Sequence, residues 1–342
     1  MTPRRSNTAT VACPTCGNSV SPRQVTNSAT RSAIGVRLRQ GAFHTIVRVS
    51  PGKSLATRAR NATAWRLRRL DERTRRATAS RRLRPNYLVI GAQKAGTTSL
   101  HAYLAAHPAV LPASIKEVQF FSKFYDRGED WYLAYFPLAA RGRLARMRNG
   151  VPPAVGEASA TYLFHPRTPE RVHAFDPAMK LIVALRDPVD RAYSHYQMEH
   201  RWGRETLPFE QALEREAAEL GPELERILAD PGYDSPLDCS YVARGRYAEQ
   251  IERWLEHFPR GQLLVLTSDE LLDDSVGVMG QVARFLGIPE WRAQSYPLRG
   301  VREYTTMAPE TREHLARMFE PHNRRLEELL GRTLGWTRPA AA

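Results

Sequence analysis

The sequence predicts an α/β domain in which a parallel sheet is covered by helices on both faces, preceded by a basic tail. Three features point to it. Short, almost wholly apolar runs, Tyr87-Leu88-Val89-Ile90, Leu181-Ile182-Val183-Ala184-Leu185 and Gln262 to Leu266, read as strands buried on both faces. Helical patterns lie between and after them, over about 189–201, 208–229, 245–257 and 275–286, and strands alternating with helices build parallel sheets. Charge is also uneven. Residues 1–85 hold 19 Lys and Arg against two acids, Asp71 and Glu72, while the rest of the chain holds 31 against 34 acids.

Residues 1–85 are rich in Arg, Ser, Thr and Ala and poor in large apolar groups until about Leu55. Such a segment buries too little to offset its ordering entropy, so a disordered tail is expected. A helix is expected over 54–83, with Trp65, Leu67 and Leu70 as its apolar points. It suits peripheral contact with an anionic membrane or a polyanion; a solvated arm, or a start assigned too early, is the alternative. The formal charge of +14 therefore belongs to the tail, and the near-neutral body predicts no nucleic-acid partner. The domain is placed at 86–335 and a C-terminal tail at 336–342.

Three cysteines, Cys13, Cys16 and Cys239, are too few for a disulfide framework and point to a reducing, cytoplasmic setting. Cys13-Pro-Thr-Cys16 has the spacing of half a zinc site, but only His44 is near and Cys239 is distant, so no metal is expected at the functional site. No run of about 18 apolar residues occurs, which predicts no membrane span.

Between the first strand and a helix expected over about 97–106 stands Gly91-Ala92-Gln93-Lys94-Ala95-Gly96-Thr97-Thr98-Ser99. A glycine-bearing loop entering a helix N-terminus cradles phosphate through its backbone N–H groups. The fold class is therefore P-loop-like. A nucleotide triphosphatase loop would carry lysine where Thr97 stands. Here the lysine lies inside the loop, at Lys94, and the strand 181–185 ends in Arg186 where a metal-binding acid would be expected. Both departures suit 3'-phosphoadenosine-5'-phosphosulfate (PAPS) as donor, with 3'-phosphoadenosine-5'-phosphate (PAP) as product and no metal required. The Arg186 guanidinium, at the ligand edge of the sheet, and the Ser194 hydroxyl eight residues on suit a second phosphate.

Gly91 to Leu100 resembles the 5'-phosphosulfate-binding loop of the sulfotransferases, above all the heparan-sulfate-type and related bacterial carbohydrate branches, and the resemblance runs over about 86–335. It implies the sulfotransferase fold and the donor PAPS. It further implies that Gly91, Gln93, Lys94, Ala95, Gly96, Thr97, Thr98 and Ser99 bind the donor's 5' side, while Arg186 and Ser194 hold its 3'-phosphate. Arg299-Gly300-Val301-Arg302 is similar to the late basic loop over the nucleotide, with either arginine as the contact or the whole loop solvated.

Sulfuryl acceptance by a hydroxyl or amine needs a base. Glu117, in Lys116-Glu117-Val118-Gln119-Phe120-Phe121, sits beside an aromatic run that would desolvate it. The run resembles the segment whose acid is the proposed base in the heparan-sulfate branch, which implies that role for Glu117 and leaving-group stabilisation for Lys94. His165 is the alternative base. In Gly156-Glu157-Ala158-Ser159 the acid is a candidate for orienting the acceptor, and Ala158 departs from the lysine common in that branch. Asp187, Asp190 and Arg191 read as caps and helix-surface charges, and Arg246 and Tyr247 as neighbours of the donor. The expectation is a sulfotransferase acting on a carbohydrate or glycolipid. The competing readings are a P-loop kinase or NTPase and a non-catalytic anion-binding module.

Overall fold

The computed structural model describes residues 74–230, 232–233, 235, 237–300 and 305–336. Five strands, β1 Tyr87–Gly91, β2 Val110–Pro112, β3 Ala154–Ala158, β4 Lys180–Leu185 and β5 Leu263–Thr267, form one sheet in the order β2-β3-β1-β4-β5. Every neighbouring pair is parallel. The expected α/β class with a helix-covered parallel sheet is what the chain adopts.

Period-two alternation sorts the strand residues between two cores. Leu88, Ile90, Val155, Leu181, Val183, Leu185, Leu263 and Val265 join one cluster; Tyr87, Val89, Ala154, Ala158, Ile182, Ala184 and Leu266 join the other. Phe121, Tyr132, Val172 and Trp254 cover the first face. Leu100, Tyr103 and Leu104 of the helix Thr97–Ala106 cover the second, with Val278, Met279 and Val282 of the helix Ser275–Leu286. Burial on both faces is why these strands read as unbroken apolar runs.

Helices Pro188–Arg201, Phe209–Ala229, Tyr247–Leu255 and Ser275–Leu286 stand where their periodicity predicts. The three-residue β2 and the helix Pro309–Leu330, which carries Pro321 internally, are additional elements. The segment just before residue 86, read as tail, packs on the domain. Ala79 is buried, Leu83 joins the first core and donates its N–H to Pro137 O at 2.8 Å, and Arg82 Nη1 donates to Phe136 O at 2.6 Å. At the other end Trp336 also packs against the first core. Cys13, Cys16, His44, Trp65, Leu67, Leu70 and Arg302 lie outside the described residues, as does most of the helix expected over 54–83. No described helix is long and apolar enough to cross a membrane.

Candidate active site

The loops after β1, β3 and β4 meet in one cleft of about 1100 Å³, at the edge where open parallel sheets bind ligands. Gly91 ends β1 against β3's outgoing loop: a Cβ there would lie 2.7 Å from Leu163 Cβ and 3.2 Å from Ala160 O. Ala92 N–H donates to Ala184 O at 2.6 Å and ties the loop to β4. Gly96, at φ 87°, reverses the chain into the helix and forms its N-cap without a side-chain hydrogen bond. Ser99 N–H already donates to Gly96 O at 3.0 Å, so the N–H groups of Thr97 and Thr98, which precede any intrahelical acceptor, are the ones left to the cleft. Gln93, Lys94, Gly96, Thr97, Thr98 and Ser99 line it; Gly91 and Ala95 shape it from behind, Ala95 within the first core.

Ser99 has a second engagement. Its Oγ accepts the Arg299 N–H at 2.9 Å and donates to Arg299 O at 3.4 Å. This latch draws the late loop across the helix start, so that Arg299 and Gly300 line the same cleft.

Arg186 and Ser194 also line the cleft. The acids beside Arg186 are engaged elsewhere. Asp187 caps the helix Pro188–Arg201 by accepting from Val189 N at 2.8 Å and Asp190 N at 3.2 Å, and Asp190 pairs with Arg312. Two expectations change here. Arg191 is no surface charge: it is fully buried and donates to Tyr241 O. Tyr247 lies behind the cleft, where its hydroxyl donates to Arg186 O at 2.9 Å and buttresses that segment.

Glu117 stands on the cleft wall in an ion pair with Lys116, its side chain 33% exposed. Its Oε2 accepts the Ala160 N–H at 3.0 Å, and its own N–H donates to Ala158 O at 2.9 Å. Glu117 is thus partly buried, and the fully desolvated acid is Glu157. That residue is 0% exposed, lies off the cleft, and so cannot orient an acceptor by contact. Burial pushes its carboxyl up to about 7; hydrogen bonds from Tyr162 and Ser159 oppose the rise, and Glu117 adds to it. Two of its partners, Ser159 and Tyr162, are near in sequence, and the third, Tyr132, comes from a distant segment. His165 is buried yet reaches the cleft. His107 packs away from it, its Nδ1 accepting the Ala109 N–H and its Nε2 bonded to Pro289 O, both at 3.0 Å.

A family model described as the sulfotransferase domain matches residues 84–305. The chain belongs to the sulfotransferase family. It is similar to a sulfotransferase from Alicyclobacillus acidocaldarius whose crystal structure is known. The two are 35% identical, with a TM-score of 0.57 over 75% of this chain and 100% of that one. It is also similar to the human bifunctional heparan sulfate N-deacetylase/N-sulfotransferase 3, 32% identical over 72% of this chain. The Drosophila melanogaster bifunctional heparan sulfate N-deacetylase/N-sulfotransferase is 34% identical over 60% of it. The chain spans 30% of the length of the human relative and 20% of the fly one. Among the described residues no group of three or more His, Cys, Asp and Glu could hold a metal ion.

Proposed function

We propose that this protein transfers a sulfuryl group from PAPS to a hydroxyl or amine of a carbohydrate or glycoconjugate, with Glu117 as general base. One observation carries the reading: Lys94, Glu117 and the pair Arg186 and Ser194, from three separate segments, line a single cleft. The donor set fits PAPS. An uncapped helix start and a lysine suit the 5' side, and an arginine fork with a hydroxyl suits the 3'-phosphate. When bound, PAPS supplies a sulfuryl group on a phosphate leaving group. Lys94 offsets the charge that develops on the departing bridging oxygen. Arg186 and Ser194 hold the 3'-phosphate, and the Thr97–Ser99 turn holds the 5' side. Glu117 takes the acceptor's proton as its oxygen or nitrogen bonds to sulfur.

A carbohydrate acceptor is supported by the remaining walls. Trp202 lines the cleft 56% exposed with the Arg204 guanidinium 4.3 Å from its ring, and Lys116, Lys123 and Arg201 line it too. An exposed aromatic face among cations suits a sugar ring bearing anionic groups. Relatives named for heparan sulfate N-sulfotransfer support the same class. The test is sulfuryl transfer from PAPS to a polysaccharide with free glucosamine amines, in wild type and Glu117→Gln. The variant is expected to lose at least about a hundredfold in kcat while PAP affinity stays within about twofold, since the change removes no donor contact. A variant with near wild-type kcat would remove Glu117 from the base role.

A further inference from the structure

Strand β3 carries a carboxylate inside the core that the chemistry above does not use. Glu157 Oε2 accepts from Ser159 Oγ at 2.7 Å, and its Oε1 accepts from Tyr162 Oη at 2.6 Å and Tyr132 Oη at 3.5 Å. The first two of these hydroxyls face two ways. Ser159 Oγ accepts the Gln119 N–H at 2.9 Å, and Tyr162 Oη accepts the Phe121 N–H at 3.4 Å. Both amides belong to the turn that carries Glu117. That turn is strained: Glu117 at φ 60° and Gln119 at φ 56° are left-handed without being glycine. Such conformations persist only when the surroundings hold them.

We infer that Glu157 is a positioning residue for the base: its carboxylate orients two hydroxyls that fasten the turn at two amides just after Glu117, without touching substrate. The inference rests on the reading of Glu117 as base, but the latch itself is independent of it. An ionised carboxylate only accepts, so both hydroxyl protons point at it and their lone pairs are left for the turn. A protonated Glu157 must donate to one of its partners and disturbs that order. Burial, opposed by the two short hydrogen bonds, brings its carboxyl up to about 7, so the change of state falls near neutrality. The titratable groups that face it are Tyr87, Tyr132, Tyr162 and Glu117. Burial and Glu157 itself hold the three phenols above their ordinary range, and hence neutral.

The experiment compares wild type, Glu157→Ala, Glu157→Gln and Ser159→Ala by three readouts: PAP affinity, kcat across pH, and amide hydrogen exchange. In Glu157→Ala, kcat should fall at least about tenfold through misplacement of the base, with PAP affinity kept. Exchange over 115–124 should quicken by about tenfold or more while the helix Thr97–Ala106 keeps its protection. Glu157→Gln should recover part of the loss, because its amide oxygen still accepts, and should lack the wild-type change in kcat near neutral pH. Unchanged exchange over 115–124 in Glu157→Ala overturns the inference. If that variant fails to bind PAP, Ser159→Ala, which severs only the Gln119 arm, decides by the same exchange measurement. A Glu117→Gln enzyme of normal kcat would reject the base reading, whereas the exchange result would still judge the latch.

Discussion

Burial and hydrogen bonding act in opposite directions on the Glu157 carboxyl, and burial wins, raising it from 4.5 to about 7. Glu117, on the cleft wall, keeps solvent contact and a lysine partner. Two nearby carboxyls therefore differ in environment. The raised value has a stability consequence. Between about pH 4.5 and 7 the folded state binds more protons at Glu157 than the unfolded chain does, so unfolding free energy falls as pH rises. The loss is complete above the folded value and amounts to about 3 kcal/mol for a shift of this size. Glu157→Gln keeps the shape and cannot ionise. Denaturant titrations from pH 5 to 8 should show a smaller decline for the variant than for wild type; parallel curves would contradict the assignment.

Among the elements, the turn from β1 into the helix Thr97–Ala106 depends on two glycines for different reasons. Gly91 lacks space, with Leu163 Cβ 2.7 Å from the site of an added Cβ, and Leu163 is itself pinned by its N–H to Ile90 O at 2.7 Å. Gly96 has space, its nearest neighbour being Leu271 Cδ2 at 3.5 Å, but needs φ 87°. Gly91→Ala should cost about 1–3 kcal/mol through overpacking, and Gly96→Ala about 1 kcal/mol through conformation alone. Urea unfolding of both variants checks the order; a reversed order would contradict the geometry. These two glycines, with Lys94 between them, were legible in the sequence because the phosphate loop is contiguous. So were β1, β4 and β5, whose apolar runs follow from burial on both faces. Strand β2 was not: three residues ending in Pro112 carry too little pattern. The helix Pro309–Leu330 was hidden by Pro321 in its interior. The packing of residues just before 86 was masked by a basic composition shared with the tail, and the burial of Glu157 depends in part on Tyr132, from a separate segment.

Across the whole molecule, the order β2-β3-β1-β4-β5 brings Lys94 after β1, Arg186 after β4 and the β3 loop beside Glu117 to one edge of the sheet. The late loop at Arg299 joins them through the Ser99 latch. Residues more than 200 positions apart in the chain thus form one cleft, while the formal charge excess lies in residues 1–85. The central claim is that this cleft is a metal-independent site for an adenosine 3',5'-bisphosphate donor. Calorimetry of PAP binding in the presence of a chelator, on wild type and Arg186→Ala, tests it most directly. Wild type should bind PAP, and Arg186→Ala should bind about 10–100-fold more weakly, the loss expected for a charge-assisted phosphate contact. No PAP binding, or binding of ATP only with Mg²⁺, would contradict the assignment of the cleft.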